Sequence, residues 1–565
     1  MNRPRPKGSG CQTTTMRFSR FTLIPILAAS LFAQVEEPFF PQPSYFRNHF
    51  STPPSRVSLR PPVRLQDFAV DNTLELSLRA YLELVLVNNT DIEIQRLSVE
   101  RDKNSILRAY GVFDPVLTGS FNSTRTKNPA SDALAGAATQ NTLNQPVDFS
   151  YRQQLDTGTT YNVGFSGTKF STNSAFATFN PSLTARLNFG FSQPLLRNRG
   201  RDIVRLPITI ARSRLKATEF TTRDQIMRLL VTAENNYWAV IQARESLRVA
   251  EENLKLNDAS LKRSQRELEL GALSPLEIFR PQADFARAEI NVSQARFRLI
   301  QTEDVLRRQI SADLDPDIRK LPIRLTEPVL PPADDKEIDR EAAVERGLSM
   351  RPDFRASLAN IETDDLTIKQ ATNSLRPDLS LTGSYAASGR GGNYFQRSNV
   401  FAGDTSSTLI RMTPGGFTDA LDQVFNFNYP VYAFGLTLRL PIRDRAASAT
   451  LADALLSKKL DALRQRGLEQ SIRQEILNAV SDVESSKASV KLAIVNRDLA
   501  QQALDAEQKK YELGVNTIFF VLDAQQRLVE AENQLVTTSV QYRRNVLSLL
   551  RSTGELLESR NVVLQ

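Results

Sequence analysis

One histidine, His49, and one cysteine, Cys11, carry all the imidazole and thiol chemistry in a chain of 565 residues. A serine or cysteine nucleophile needs a base within hydrogen-bond reach, and a structural zinc site needs a set of His or Cys ligands, so both lack their parts here. Neither a GxSxG elbow nor a GxxxxGK[ST] phosphate loop occurs. The 63 acidic side chains are scattered along patterned segments, where a solvated helix face is their ordinary use. Trp238 and Tyr237 sit mid-pattern, as aromatics packed between helices do. No catalytic residue, metal ligand or cofactor site is assigned, and an exported hydrolase is disfavoured. The functional groups that do gather surround two glycines, Gly271 in ELGALSPLEIF and Gly514 in YELGVNTIFFVLD. Converging copies of such turns would ring an opening with like side chains, which filter by charge or block by dewetting.

The flanks of these glycines show what must hold them. Leu247, Leu254, Leu261 and Leu268 step by sevens, and Ala243, Ala250, Asn257 and Ser264 complete the seam. After Gly271 the heptads resume at Phe285, Val292, Leu299 and Leu306, with Ala288 and Ala295. After Gly514 they run Leu528, Leu535, Tyr542, Leu549, with Ala531 and Thr538. Large residues alternating with small ones let helices approach closely. The pattern predicts a helix over 212–270, which at about 1.5 Å per residue extends roughly 90 Å, and a return limb of about 35 residues. Each glycine marks the reversal between limbs, where a permissive backbone is needed.

The chain is written twice, and repeats of this size organise a fold. Glu269 to Glu289 aligns without a gap with Glu512 to Glu532. LTGSF (Leu117 to Phe121) recurs as LTGSY (Leu381 to Tyr385), behind Pro115 and Pro377 respectively. A second alternating strand closes each β section, RLNFGFSQPLL ending at Leu196 and FGLTLRLPIRD ending at Asp444, and each exits through a proline, Pro194 or Pro441. The sections over about 113–196 and 378–441 are rich in Ser, Thr, Asn, Gly and aromatics, a composition that suits strands wet on one face and apolar on the other. Two principal strands per copy give four per chain. Four cannot close a membrane barrel, so several chains must share one. The alternating segment Val147 to Phe170, broken at Asp156-Thr157-Gly158, reads as an added hairpin in the external loop and leaves the strand count of the first copy open. Gly389 to Asp422 reads as the long external loop of the second copy.

Phe21 to Ala33 is apolar, follows Arg17 and Arg20, and is too short to span a membrane, so it reads as a secretory signal. Cleavage after Ser30 or Ala33 fits, and Met16 is an alternative start. Cys11 precedes the apolar run, which excludes lipidation and disulfides in the exported chain. The formal charge of +8 includes Arg3, Arg5, Lys7, Arg17 and Arg20; without them 66 basic residues face 63 acidic ones, a balance of +3 that demotes nucleic-acid binding. With 41% hydrophobic and 24% charged residues, the chain as a whole resembles soluble protein more than a bundle of membrane helices.

Duplicated units of helix, strand, strand and helical hairpin, with Leu268-Glu-Leu-Gly271 and Tyr511-Glu-Leu-Gly514 at the turns, resemble the TolC family of outer-membrane efflux proteins over about Asn72 to Glu558. The resemblance implies a mixed α/β membrane protein. Long α-helical hairpin coiled coils form its periplasmic tunnel, and three protomers share a membrane β-barrel of twelve strands. It also implies a passive, gated conduit for tripartite efflux or type I secretion, set in outer-membrane lipid. The implied partners are two further copies of the chain, a periplasmic membrane-fusion adaptor and an inner-membrane pump of RND, ABC or MFS type. By position, Glu277, Tyr511 and Asp523 match the gate, while Phe520 stands in place of an expected acid and Asn516 in place of a basic partner. The tips Leu270, Gly271, Ser274, Leu513, Gly514 and Thr517 match the adaptor-docking turns. The domain reading is a signal and leader over 1–33 and a proline-rich linker over 34–70. The first repeat is 71–315 with its hairpin at about 205–312, a linker covers 316–336, and the second repeat is 337–558 with its hairpin at about 445–556. The rival reading is a non-conducting cell-surface coiled coil of structural or adhesive role.

Overall fold

A computed structural model describes residues 61–70, 72–129, 138–174, 176–271, 274–331, 338–397, 409–560 and 562. All lie in one of the two units into which the chain divides, Pro54–Gln565. The leader, Cys11, His49, most of the proline-rich stretch, 332–336 of the linker and 398–408 of the second external loop lie outside the described residues.

Two short helices open the described chain, α1 (Leu78–Asn88) and α2 (Thr90–Tyr110). Each starts at a polar cap: the Ser77 hydroxyl accepts from the Ala80 N–H, and the Asn89 side chain accepts from the Asp91 and Ile92 N–H groups. The strands β1 (Ala69–Val70), β2 (Thr73–Leu76) and β8 (Ile323–Leu325) form a small sheet beside them. The first long rod, α3 (Leu206–Glu269), has 64 residues, or about 96 Å at 1.5 Å per residue, and Pro207 sits in its first turn, where no intrahelical donor is lost. Its return limb is α4 (Phe279–Gln309). The second repeat supplies α5 (Arg340–Met350), α6 (Pro352–Ser374), α8 (Arg445–Glu512) with 68 residues, and α9 (Ile518–Ser552). The helix α7 (Phe417–Phe425) lies between strands of the second β section.

The rods pair as hairpins, α3 with α4 and α8 with α9, while α2 and α6 extend along the other ends of α3 and α8. The small seam residues Ala243, Asn257, Ser264, Ala288 and Ala531 are buried, whereas Leu247, Leu254 and Leu261 are half-buried in a single chain. Midway along the rods lies the largest core. There Tyr81, Leu82, Val85 and Ile92 meet Met227, Leu230, Tyr237 and Trp238 of α3, together with Leu306 and Ile323. The Tyr237 hydroxyl donates to the Leu76 carbonyl at 3.1 Å, and Arg543 lies over the Trp238 ring. Both aromatics are therefore packing residues.

One antiparallel sheet runs β12-β9-β7-β6-β5-β3, with β4 also on β5. Its strands are β3 (Val116–Phe121), β4 (Thr124–Pro129), β5 (Thr139–Gln154), β6 (Thr160–Thr172), β7 (Ser182–Pro194), β9 (Asp378–Gly391) and β12 (Pro430–Arg439). Because β3 and β4 pair end to end along β5, the seven strands occupy six positions. This corrects the expected four per chain. The segment read as an external-loop hairpin is β5 and β6. It is inserted in the sheet between β3 and β7, and its turn lies on the helix side, where the Asp156 carboxylate meets Arg205 at 2.7 Å and Arg201 at 3.0 Å. The short pair β10 (Tyr394–Arg397) and β11 (Leu409–Thr413) stands apart from this sheet.

Register places Leu117, Phe149, Tyr151, Val163, Phe189, Tyr385 and Tyr432 on one face, and Thr118, Ser150, Arg152, Asn162, Asn188 and Ser384 on the other. Phe191 covers Gly383 on the apolar face, the close approach that only a glycine permits. The polar face is hollowed into an open trough lined by Arg152, Asn162, Arg186, Asn188 and Ser384. Phe434 and Leu436, on the apolar face, stay 78% and 65% exposed in the single chain.

Candidate functional site: the two hairpin tips

The far ends of the hairpins bring the glycine-centred segments into place. At the first tip α3 ends, the Leu270 N–H donates to the Arg266 carbonyl, and Gly271 takes φ +75°. The Glu277 N–H donates to the Ser274 carbonyl at 3.0 Å, so Ser274 opens the turn that leads into α4. At the second tip Gly514 takes φ +73°, its N–H donates to the Tyr511 carbonyl, and the Val515 N–H reaches back to Lys510. Both glycines occupy the left-handed region that side-chain-bearing residues enter only with strain. Thr517 is the N-cap of α9 without a side-chain cap bond, and Leu270 and Leu513 are 83% and 79% exposed.

The two hairpins touch through specific contacts. The Tyr511 hydroxyl reaches both carboxylate oxygens of Glu267, at 2.8 and 2.9 Å, and Arg263 lies over the Tyr511 ring at 4.4 Å while pairing with Glu267 at 3.1 Å. Burial, then the bond to Glu267, pushes the Tyr511 phenol above its usual range, so it stays a donor at neutral pH. Across the other side Arg280 of α4 sits 4.0 Å from the Phe519 ring centre, and Phe519 meets Phe520 edge to face at 5.5 Å. Asn516 donates to Glu507 at 2.6 Å, and Lys510 pairs with the same carboxylate. These two contacts hold the Glu507 carboxyl below the ordinary range.

Of the sequence-predicted gate residues, Tyr511 and Phe520 lie within these contacts. Glu277 stands exposed on the first tip, and Asp523 pairs with Arg527 of its own helix at 2.9 Å. Glu267, Arg263 and Arg280 were absent from the sequence reading. Arg263 and Glu267 show only the ordinary helical i, i+4 spacing, and nothing in the sequence brings them to Tyr511. The arrangement offers hydrogen bonds, charges and rings at one end of the paired rods. Among the described residues there is no group of three or more His, Cys, Asp or Glu able to hold a metal ion.

The family model described as outer membrane efflux protein matches residues 343–555, which hold α5, the second β section and the second long hairpin. Over those residues the chain matches the outer membrane efflux protein family. This efflux protein is 23% identical over 474 residues to the outer membrane efflux protein BepC of Brucella suis, covering 83% of each chain. It is likewise 23% identical to the outer membrane protein TolC of Salmonella enteritidis, over 58% of this chain and 62% of that one. Among solved structures it resembles the CmeC outer membrane channel of Campylobacter jejuni, with a TM-score of 0.58, 15% identity, and 90% of this chain and 92% of that chain covered. The efflux protein is thus an outer-membrane channel that extends into the periplasm, and conduction is its task.

Proposed function

We propose that this efflux channel acts as a passive, gated homotrimeric conduit. In this reading the repeats 71–315 and 337–558 each give a β section to a shared barrel and a hairpin to a common periplasmic tube. An inner-membrane pump of RND, ABC or MFS type supplies the energy, and a periplasmic membrane-fusion adaptor docks on Leu270, Gly271, Ser274, Leu513, Gly514 and Thr517. The observation that carries the reading is a sheet apolar on one face and hollowed and polar on the other, with both edge strands unpaired at the end of paired rods. Open sheet edges do not stand in lipid, so closure needs further copies. Exposed leucines along α8, such as Leu455, Leu492 and Leu499, likewise want cover from a neighbour. Exposed apolar tips give an adaptor its surface. The gate is Tyr511, Phe520, Glu277 and Asp523, with Glu267 and Arg263 latching Tyr511 in the closed tip, and its character is mixed: charge at Asp523 and Glu277, rings at Phe519 and Phe520.

The test is purification from outer membranes, determination of copy number in detergent, and single-channel recording in planar bilayers. A trimer with discrete conductance is expected. A monomer that conducts nothing overturns the proposal in favour of the surface coiled-coil reading.

A further inference from the structure

Among the described residues the hairpin of β5 and β6 has no counterpart in the second repeat's part of the sheet, where β9 pairs directly with β12 and the pair β10 and β11 stands apart. We infer that it enlarges the outer-membrane barrel to eighteen strands, six from each of three copies, with β12 of one copy pairing β3 and β4 of the next. The number of copies rests on the trimer proposed above; the six positions per chain do not.

The ladder places the hairpin inside the wall. β5 pairs with β6 from Thr142–Thr172 to Gln154–Thr160, and β6 pairs with β7 from Thr160–Ser192 to Phe170–Ser182. β5 has 16 residues and β6 has 13, each enough to cross a bilayer, which takes roughly 9–11 residues in a tilted strand. The faces agree with the rest of the sheet. Val147, Phe149 and Phe165 continue the apolar side, and Asp148, Arg152 and Asn162 continue the hollowed polar side. A soluble decoration would not repeat the apolar-out, polar-in alternation of its neighbours in register.

The turn is anchored where a barrel strand must reverse. Asp156 holds Arg201 and Arg205 at the start of the first rod, and the Gly200 N–H donates to the Thr157 carbonyl at 3.3 Å. Direction also fits. Strands alternate across all six positions, so β3 runs away from the helices and β12 runs toward them, and the seam between copies is antiparallel like every other. Both edges carry the apolar face outward, at Leu117 and Phe121 on one side and Phe434 and Leu436 on the other.

Barrel diameter grows roughly linearly with strand number, so eighteen strands at the same tilt give about one and a half times the diameter of twelve. The membrane section would then impose little size selection, leaving the helical tips as the only narrow point and suiting the conduit to bulky cargo. The experiment is electron cryomicroscopy of the full-length protein in lipid nanodiscs, counting copies and strands. A deletion of residues 138–172, which joins the strand ends on the side away from the helices, is imaged in parallel. Three copies closing eighteen strands, with twelve in the deletion and a smaller cutoff for polyethylene glycols entering from the outer mouth, are expected. Three copies closing twelve strands, with the hairpin outside the wall, would overturn the enlargement and leave the trimer standing. A copy number other than three overturns the trimer reading, and two copies closing twelve strands overturn both. If the deletion does not assemble, the strand count of the unaltered protein decides.

Discussion

At the scale of single residues, the tip contacts and one buried charge cluster carry the sharpest expectations. Tyr511→Phe removes the donor to Glu267 and keeps the ring under Arg263. Glu267 is partly solvated, so the loss is on the order of 1 kcal/mol per chain. The expected outcome is a channel with larger resting conductance and unchanged copy number, read in planar bilayers. Arg351, nearly buried, bonds Asp353 and Glu475 at 2.7 Å and also reaches the Ser552 carbonyl, tying the start of α6 to α8 and α9. Burial alone would raise the Asp353 carboxyl, but the hydrogen bonds and charge of Arg351 outweigh it and hold the carboxyl below its usual range. A depressed folded-state pKa adds stability above the unfolded value near 4 and loses it as pH falls through the folded value. Thermal stability should therefore drop below about pH 4, and Asp353→Asn should flatten that drop. Arg351→Ala leaves two carboxylates facing each other in partial burial and should cost about 3 kcal/mol, measured as a lowered unfolding midpoint at neutral pH. This cluster has no sequence signature, since its members lie up to 201 positions apart.

Elements were the most legible level. Heptad leucines and small residues forecast the rods because a helix packing on one neighbour repeats its contacts every seven residues, and α3, α4, α8 and α9 follow those segments. Glycine forecast both reversals for a reason the φ values make plain. Gly514→Val should cost about 1–2 kcal/mol of local strain, and Gly514→Asn, which tolerates the same conformation, should cost less. Beyond the adjoining residues no atom lies within 4 Å of a Cβ added there, so the strain is the backbone's own. Loss of export with the valine, retention with the asparagine, and intact assembly in both are expected from a secretion or efflux assay. Strands were legible as alternation but their partners were not. Leu436 and Thr437 are adjacent on β12 and face opposite sides of the sheet. Leu436→Arg should impair insertion by about 2–4 kcal/mol, while Thr437→Arg on the polar face should insert normally, as judged by yield in outer-membrane fractions. Equal yields would reverse the assignment of faces.

For the whole molecule, the sequence by itself determined the duplication, the two hairpins, the turn glycines, the absence of catalytic parts and the alternating strands. Each of these is a local regularity: a period of seven or two, a glycine between two helical patterns, a missing ligand type. That is enough to reach a resemblance to outer-membrane efflux proteins, which the family match over 343–555 and the shared fold of CmeC support. Only the tertiary structure decided how many strands the sheet holds and in what order. Alternation gives each strand two faces but does not name its neighbour, so β5 and β6 read as an outlying hairpin until their ladders to β3 and β7 placed them within the sheet. It also decided the tip contacts, because Tyr511 and Glu267 are 244 positions apart and meet only when two rods of about 100 Å lie side by side. Periodicity is set by neighbours along the chain, whereas the order of a sheet and the meeting of distant tips depend on how the whole length closes on itself.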